Sequence, residues 1–390
     1  MATTEIAKRA ATRPTWAEVS LSALRQNYRI VAEYVGSGVT VCAVVKADAY
    51  GHGAIECAAA LEQEGATWLG VTSLDEAIPL RDEGIATRIL LMTGFWRGEE
   101  EEIVRLRLTP TVWEVGQIEL LERAAARIGV SQHAIHLKVD TGMGRLGAAP
   151  QDLPRICAVL KASPHLTVEG FSTHIASSEV LDAPSVGEQL SVFESARRVL
   201  SEFGFEPLLV HAANTSAVIS HHESWSTMVR PGLALYGYHL PFERAGRTVS
   251  GRGLRINVKP ALTWKTQILS LREMPAGQAI GYGGTYVTKA PTRIAILPVG
   301  YADGLNRGLS SNGRVIVREH YAPIVGRISM DLTTVDVTGI PDVELADEVI
   351  LLGSSDGLSV DAREHADLAH TIPYEILCAI SKRVPRKYSR

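Results

Sequence analysis

Short apolar runs alternate with longer amphipathic stretches from about residue 40 to residue 236. Eight of these runs are apolar throughout or rich in β-branched residues, and each is about the length of one strand: Val41–Val45, Trp68–Thr72, Ile89–Thr93, Leu108–Trp113, Ala134–Val139, Leu166–Phe171, Leu208–Ala212 and Val229–Tyr236. Such runs are typical of parallel strands that are buried on both faces. The pattern therefore predicts eight buried strands.

The stretches between the runs have helical spacing. Within residues 115–128, Ile118, Leu121 and Ala125 follow at steps of three or four and so share one helix face. Similar stripes occur in residues 54–65 and 187–203. Eight strand-then-helix units predict an α/β fold with an N-terminal (β/α)8 TIM-like barrel.

The pattern changes near Pro241. Residues 242–256 are rich in Arg, Gly and Ser and are predicted to form a linker. Short alternating runs follow, punctuated by Gly and Pro, and they predict a C-terminal mostly-β domain: Leu262–Leu271, Thr292–Pro298, Val315–Val317, Thr333–Val337 and Glu348–Leu352.

These patterns suggest a division of the chain into three parts. We expect a flexible N-terminus at residues 1–12, a barrel at 13–245 and a β domain at 246–390. The first strand of the barrel segment is also a candidate to pair with the C-terminal domain.

Composition and charge narrow the class of protein. The chain has 390 residues, 46% of them hydrophobic and 21% charged, and a net charge of -4, which favours neither a nucleic-acid partner nor a membrane surface. The four cysteines are far apart without CxxC spacing, and the first residues contain no apolar stretch of signal-peptide length. We expect a cytoplasmic enzyme with no metal site.

A lysine ends the first predicted strand. Lys46 follows the apolar run in the sequence VVKADAYGHG. Burying an ammonium group without a partner is costly, and one reason to do so is Schiff-base chemistry, because burial lowers the pKa of the amine. A strand-end lysine that reaches solvent is the alternative.

Several motifs, in order along almost the whole chain, resemble those of alanine racemases. They are RPTWAEVSLSAL at residues 13–24, VVKADAYGHG around Lys46, KVDTGMGRLG at 138–147, GYGGTY at 281–286, GRISMD at 326–331 and TIPYEI at 371–376. The resemblance implies a (β/α)8 barrel followed by a β domain and pyridoxal 5'-phosphate as cofactor. It also implies interconversion of L- and D-alanine, with D-alanine supplied for peptidoglycan.

The resemblance also implies residue roles. Lys46 and Tyr282 are the two expected catalytic bases, Lys46 acting on the D-enantiomer and Tyr282 on the L-enantiomer. The expected cofactor-binding residues are Lys46, Tyr50, Arg145, His174, Asn214, Thr215, Arg230, Gly232 and Tyr374. Arg145, Met330 and Tyr301 are the expected substrate-binding residues. His211, Lys138 and Asp331 are expected to support them.

Two further expectations rest on the resemblance alone. Lys138 lies where relatives carry a carbamylated lysine that steadies Arg145, and a simple barrel-lining lysine is the alternative. Tyr282 and Met330 are expected to reach the site from the neighbouring subunit of a head-to-tail homodimer, so that each active site is shared.

Other functions remain as alternatives at this stage. A single-barrel carrier of pyridoxal phosphate would need neither GYGGTY nor GRISMD, and a two-domain decarboxylase lacks the KADAYGHG pattern. A serine or broad-specificity racemase of the same fold is the nearest alternative. The GxGxxG pattern at Gly142, Gly144 and Gly147 and the GxSxG pattern at 353–357 are weak matches to a dinucleotide site and a nucleophile elbow. For the second, a tight surface turn is expected.

Overall fold

The computed structural model describes residues 13–249, 254 and 256–390. It divides into two compact units. One unit, the barrel unit, is Leu21–Lys259. The other, the β unit, combines Pro260–Arg390 with the N-terminal segment that ends at Ser20.

Eight parallel strands form a nearly closed barrel in the first unit. They are Thr40–Val44, Trp68–Val71, Arg88–Leu91, Thr109–Val112, His133–Lys138, Leu166–Ser172, Leu209–His211 and Met228–Val229. Strands one to seven pair in chain order, and the eighth pairs with the first. This confirms the predicted TIM-like barrel. The eighth predicted run is wrong in its second half, because Leu233–Tyr236 forms a 3-10 helix.

One helix precedes the first barrel strand, and one of the other seven follows each of the first seven strands. Their bounds are Leu21–Val35, Ala54–Gln63, Leu74–Asp82, Glu100–Arg105, Val115–Ile128, Leu153–Lys161, Pro184–Glu202 and Thr215–Ser220. The helix Val115–Ile128 has the predicted bounds and buries Ile118, Leu121 and Ala125. It ends at Gly129, whose φ of 82° is the left-handed conformation that glycine adopts most readily.

The β unit is built largely from antiparallel strands. Its strands are Thr15–Ser20, Leu262–Gln267, Ser270–Met274, Ala279–Ile280, Tyr286–Val287, Thr292–Leu297, Arg314–Val317, His320–Pro323, Thr333–Asp336, Glu348–Ser355, Leu358–Val360 and Arg386–Ser389. Two helices, Ala362–Leu368 and Pro373–Ala379, complete it. The strand-rich C-terminal domain is confirmed, although the predicted run Leu262–Leu271 is two strands.

The first strand of the chain belongs to the β unit. Thr15–Ser20 pairs antiparallel with Leu262–Gln267 and parallel with Arg386–Ser389. Alternate residues of both Thr15–Ser20 and Leu262–Gln267 are buried, as expected of strands with one face on a core. Residues Thr15–Ser20 are thereby fixed in a sheet that is otherwise built from the last third of the chain.

Two segments with ambiguous patterns are hairpins. Within the predicted linker, Phe242–Arg244 pairs with Arg247–Val249, while residues 250–253 and 255, like the predicted flexible residues 1–12, lie outside the described residues. The GxSxG pattern lies at a turn between Glu348–Ser355 and Leu358–Val360, as expected. Across the described residues, no helix is both long enough and apolar enough to cross a membrane.

Candidate active site

Four cationic side chains lie at the carboxyl ends of the barrel strands, where catalytic groups of such barrels are found. This cationic cluster comprises Lys46 after the first strand, Lys138 at the end of the fifth, Arg145 in the next loop and Arg230 after the eighth. Burial first, and then the charges of all four, lower the pKa of His174 to about 3. The structure therefore brings these five predicted residues together.

Arg230 is held in a fixed orientation inside the barrel. Its side chain is buried, and Nη2 donates to the carbonyl oxygens of Thr173 at 2.9 Å and Ala212 at 3.2 Å. Nη2 also lies 3.3 Å from Nδ1 of His174, and Nη1 contacts Nδ1 of His211. Burial lowers the pKa of the guanidinium to about 10, so it stays charged at neutral pH.

The contact with Arg230 fixes the tautomers of two histidines. A guanidinium only donates, so Nδ1 of His211 accepts and its hydrogen lies on Nε2. That Nε2 lies 2.8 Å from Nδ1 of His136, which must accept in turn. Burial, and then neighbouring positive charge, lower the pKa of both imidazoles, to about 3 for His136, so both are neutral at pH 7.

His136 was not among the predicted site residues. The signal was available, because His136 lies two positions before Lys138 in the fifth strand and so shares its face. The neighbouring sixth strand carries Gly170 opposite it, and a Cβ there would lie 2.4 Å from the imidazole. A glycine is required at this position because the ring fills the space of a side chain.

Lys138 carries an amine that is easily deprotonated. Burial, followed by the charges of Arg230 and Arg145, lowers its pKa to about 8. Asp140 and Lys46 act in opposite directions on it and are weaker causes. An appreciable fraction of Lys138 is therefore neutral near physiological pH.

A second group of predicted residues meets beside the eighth strand. A Cβ on Gly232 would lie 2.2 Å from the phenol oxygen of Tyr50, so the two residues are in close contact. The Thr215 hydroxyl accepts the N–H groups of Gly232 at 3.0 Å and Ala234 at 3.3 Å. Asn214 is the N-cap of the short helix that begins at Thr215, and its Oδ1 accepts a backbone N–H there at 3.0 Å.

The backbone after Lys46 has a conformation that the sequence did not predict. Residues Ala47–Tyr50 all have φ of 52 to 54° and form a left-handed turn. This conformation costs roughly 1–2 kcal/mol per L-residue. Two carboxylates hold the turn: Glu76 accepts the Ala47 N–H at 2.6 Å, and Asp48 accepts an N–H at the start of the next helix at 2.8 Å.

The predicted site residues of the β unit are exposed. The exposed fraction is 73% for Tyr282, 52% for Met330 and 44% for Tyr301. Backbone hydrogen bonds join two of their loops: the Tyr301 N–H donates to the Ser329 carbonyl at 3.0 Å, and the Ala302 N–H donates to that of Met330 at 3.1 Å. Tyr301 and Met330 therefore form one local group.

A buried carboxylate supports this group and was also missed in the sequence. Asp303 is fully buried and accepts two hydrogen bonds from Arg13, at 2.7 and 2.8 Å. Arg383 lies 3.5 Å from Asp303 and donates to the predicted residue Asp331 at 2.6 Å. The predicted residue Tyr374 is half-buried in the first turn of the helix that begins at Pro373.

The loop after the fifth strand uses its own backbone N–H groups internally. One carboxylate oxygen of Asp140 accepts the N–H groups of residues 142, 143 and 144, at 3.0, 2.9 and 3.1 Å. A dinucleotide site would instead direct such groups at a pyrophosphate. The GxGxxG match is therefore a local turn.

Metal-binding residue types are scattered in the described part of the chain. There, no three His, Cys, Asp or Glu side chains are grouped so that they could hold a metal ion.

Comparisons with known proteins match this architecture along its length. The family model "Alanine racemase, N-terminal domain" matches residues 19–240, and "Alanine racemase, C-terminal domain" matches residues 261–388. An alanine racemase of Halothermothrix orenii is 41% identical over 377 residues, which are 97% of each chain. Because both domains match, a single-barrel carrier is excluded.

Solved structures of alanine racemases have the same fold as this chain. The alanine racemase from Streptomyces coelicolor has a TM-score of 0.90 and 35% identity, with 97% of this chain and 99% of that chain covered. The alanine racemase from Bartonella henselae, with covalently bound pyridoxal phosphate, has a TM-score of 0.83 and 29% identity, with 96% and 99% covered. The chain therefore belongs to the alanine racemase family.

Proposed function

We propose that the protein interconverts L- and D-alanine with pyridoxal 5'-phosphate as cofactor and supplies D-alanine for peptidoglycan. The observation that carries the proposal is the cationic cluster at the carboxyl ends of the barrel strands. Four cationic side chains gathered at one end of the barrel favour anionic ligands that balance their charge. A phosphate, a phenolic oxygen and a substrate carboxylate would supply that negative charge.

The residues present fit pyridoxal phosphate. Tyr50 and Thr215 would hold the phosphate through their hydroxyl groups, and Asn214 and Gly232 belong to the backbone beside them. Lys46 would form the covalent bond to the cofactor. Tyr374 is the remaining member of the proposed cofactor-binding set.

Arg230 and Arg145 would bind the ring of the cofactor. A guanidinium has more N–H donors than the four acceptors that already contact Arg230. A donor therefore remains for the ring nitrogen, which a guanidinium does not protonate. Arg145 would contact the phenolic oxygen, with His174 and His211 fixing the geometry of Arg230.

When bound, pyridoxal phosphate withdraws electrons from the α-carbon of an attached amino acid and makes its hydrogen acidic. Racemisation then requires a proton to leave from one face and another to arrive on the opposite face. Lys46 would remove the proton of the D-enantiomer and Tyr282 that of the L-enantiomer, and each would return a proton in the reverse direction.

The substrate carboxylate is the third proposed anion. Arg145 would bind it together with the backbone N–H of Met330, and Tyr301 would narrow the entrance. Asp331 would support this loop through its ion pair with Arg383 at 2.6 Å. A narrow entrance favours a methyl side chain over larger ones.

We also propose that two chains share each site in a head-to-tail homodimer. The exposure of Tyr282, Met330 and Tyr301 supports this, because exposed large apolar and aromatic side chains are typical of surfaces that another chain covers. A barrel mouth of one subunit would then be completed by these residues of its partner.

Lys138 is proposed to carry a carbamate. A pKa of about 8 provides the neutral amine that reacts with CO₂, and a carbamate would replace a positive charge with a negative one beside Arg145. Carbon-13 NMR of protein in labelled bicarbonate should show a carbamate signal that Lys138→Met lacks. An identical spectrum for the variant would rule the carbamate out.

A cytoplasmic location is proposed as well. Cys42, Cys57 and Cys157 are buried thiols outside any disulfide, which fits a reducing compartment.

The test of the proposed activity uses the purified protein loaded with pyridoxal phosphate. Loss of optical rotation is followed for L-alanine, with L-serine alongside. Fast turnover of alanine and slower turnover of serine are expected, since a pocket for a methyl group discriminates against one extra group by only about 1–3 kcal/mol. No turnover of either by protein with covalently attached cofactor would contradict the proposal.

A further inference from the structure

A carboxylate on the helix after the second barrel strand binds two separate pieces of backbone. Glu76 lies in the first turn of the helix Leu74–Asp82. Its Oε1 accepts the N–H of Ala47 at 2.6 Å, and its Oε2 accepts the N–H of Thr72 at 2.7 Å and the Thr72 hydroxyl at 2.9 Å. Glu76 therefore ties the end of the second strand to the segment that follows the first.

The peptide that Glu76 holds is the one that joins Lys46 to Ala47. Ala47 is also the first of four residues in the left-handed turn, a conformation that alanine does not favour by itself. The turn persists only if its surroundings hold it, and the bond from Ala47 to Glu76 is one such hold. Loss of that bond releases the backbone on which the Lys46 side chain is mounted.

Only a carboxylate can make all of these bonds. Both oxygens of Glu76 face a backbone N–H, and a backbone N–H cannot accept a hydrogen bond. A glutamine would therefore direct its own N–H groups at one of these donors. Charge also strengthens the bonds that an ionised carboxylate accepts.

We propose that Glu76 is a positioning residue for Lys46, which it aims by fixing the peptide directly after it. The inference rests on the proposed function, because it assigns Glu76 to the proton transfer that Lys46 performs. Glu76 acts through the backbone and need not touch substrate or cofactor.

The chain provides a matched control. Glu62, in the helix Ala54–Gln63, also accepts three hydrogen bonds from backbone and hydroxyl donors: the Ala86 N–H at 2.8 Å, the Thr87 N–H at 2.6 Å and the Thr87 hydroxyl at 2.8 Å. These donors precede the third barrel strand, at the end of the barrel opposite the cationic cluster. All three bond to a single oxygen, so a glutamine at position 62 can still accept them.

The experiment compares Glu76→Gln and Glu76→Ala with Glu62→Gln and Glu62→Ala as holoenzymes. We expect Glu76→Gln to lower kcat by roughly ten- to a hundredfold, as small misplacements of a reacting group do. The isotope effect of α-deuterated alanine should rise more for the D- than for the L-enantiomer, since Lys46 takes the proton from the D-enantiomer. The Glu62 variants should keep both enantiomers' isotope effects, whatever stability they lose.

A second readout does not depend on racemisation. Hydrogen exchange of the peptide that covers residues 46–51 should speed up in both Glu76 variants and stay unchanged in the Glu62 variants. Unchanged exchange in Glu76→Gln, or equal rises in the two isotope effects, would overturn the positioning role. If wild-type protein fails to racemise alanine while the exchange result holds, the proposed function fails and the backbone role of Glu76 stands.

Discussion

The barrel unit and the β unit present their candidate site residues in opposite ways. In the barrel, Arg230 is buried and its guanidinium contacts four acceptors of the same unit. In the β unit, Tyr282 is 73% exposed and Met330 52% exposed. The barrel residue is oriented by hydrogen bonds within its own unit, whereas the side chains of the β-unit residues are exposed to solvent.

This difference in burial suggests which part of the candidate site is already oriented within a single chain. In the barrel unit, contacts within the unit already orient Arg230, so this part of the site would hold the cofactor in one orientation. In the β unit, the buried carboxylate of Asp303 fixes the loop that carries Tyr301, while the candidate site side chains are exposed. Such a half-site becomes useful when another chain covers it, which is the basis of the shared-site proposal.

The largest effect is expected from Lys46→Ala. This substitution removes both the covalent anchor of the cofactor and one base, so the racemisation rate should fall by roughly 10⁴-fold or more. Mass spectrometry after borohydride reduction should show no attached pyridoxal phosphate. The exposed Lys161 is the control, and Lys161→Ala should match wild type. Retained attachment in Lys46→Ala would disprove the assignment.

Tyr282→Phe should separate the two regions. The barrel half is intact, so the cofactor should attach as in wild type, while turnover falls by roughly 10²–10⁴-fold because the second proton donor is missing. Racemase assay and reductive trapping measure the two properties. Tyr286→Phe, four residues further on, should leave both unchanged. If Tyr282→Phe turned over normally, the base would have to be another group.

Gly232→Ala should weaken cofactor binding in the barrel unit and leave the β unit unchanged. The added Cβ would lie 2.2 Å from the phenol oxygen of Tyr50, so the tyrosine has to move. We expect cofactor affinity to fall by roughly ten- to a hundredfold, corresponding to about 1–3 kcal/mol. Equilibrium titration with pyridoxal phosphate measures this. Gly187→Ala, where a Cβ meets nothing within 4 Å, is the control, and equal affinities in both variants would contradict the contact.

Lowering the pH should destabilise the barrel unit more than the β unit. Burial lowers the pKa of His133 to about 4 and that of His136 and His174 to about 3, and it lowers the pKa of His211 well below 6.5, whereas His365, with a pKa of about 4, belongs to the β unit. Below about pH 6.5 these imidazoles gain protons when unfolded but not when native. Unfolding is then favoured by about 1.4 kcal/mol per pH unit for each histidine, until the native pKa is reached.

Hydrogen exchange at pH 7 and pH 5, corrected for intrinsic rates, tests this. Protection should fall more in residues 21–259 than in residues 260–390. Equal losses in the two units would show that these histidines do not set the acid sensitivity of the barrel.

Much of the architecture could be predicted because strands that are buried on both faces have continuous apolar runs in their sequence. The helix Val115–Ile128 was predicted to the residue from its spacing. The second half of the run Val229–Tyr236 was wrongly predicted as strand, because the periodicity of a short apolar segment does not distinguish a strand from a helix. The predicted run Leu262–Leu271 merged two strands of different sheets, since no break in the pattern marks the short connection between them.

The candidate site was less accessible to pattern reasoning. Lys46 stood out as a charge at the end of an apolar strand, but the other roles rested on resemblance. The left-handed turn at Ala47–Tyr50 could not be predicted, because alanine has no local preference for positive φ and one of the carboxylates that hold the turn, Glu76, comes from another helix. His136 could have been found, since alternation in a strand assigns it to the face of Lys138.

The most direct test of a site built from two regions is to mix two inactive proteins. Lys46→Ala and Tyr282→Phe subunits would be dissociated, combined in equal amounts and reassociated, with hybrid formation verified by native mass spectrometry. Shared sites predict recovery of about a quarter of the wild-type rate, because half of the dimers are hybrids and each hybrid contains one complete site of two. No recovery after verified hybrid formation would show that each chain builds its whole site alone.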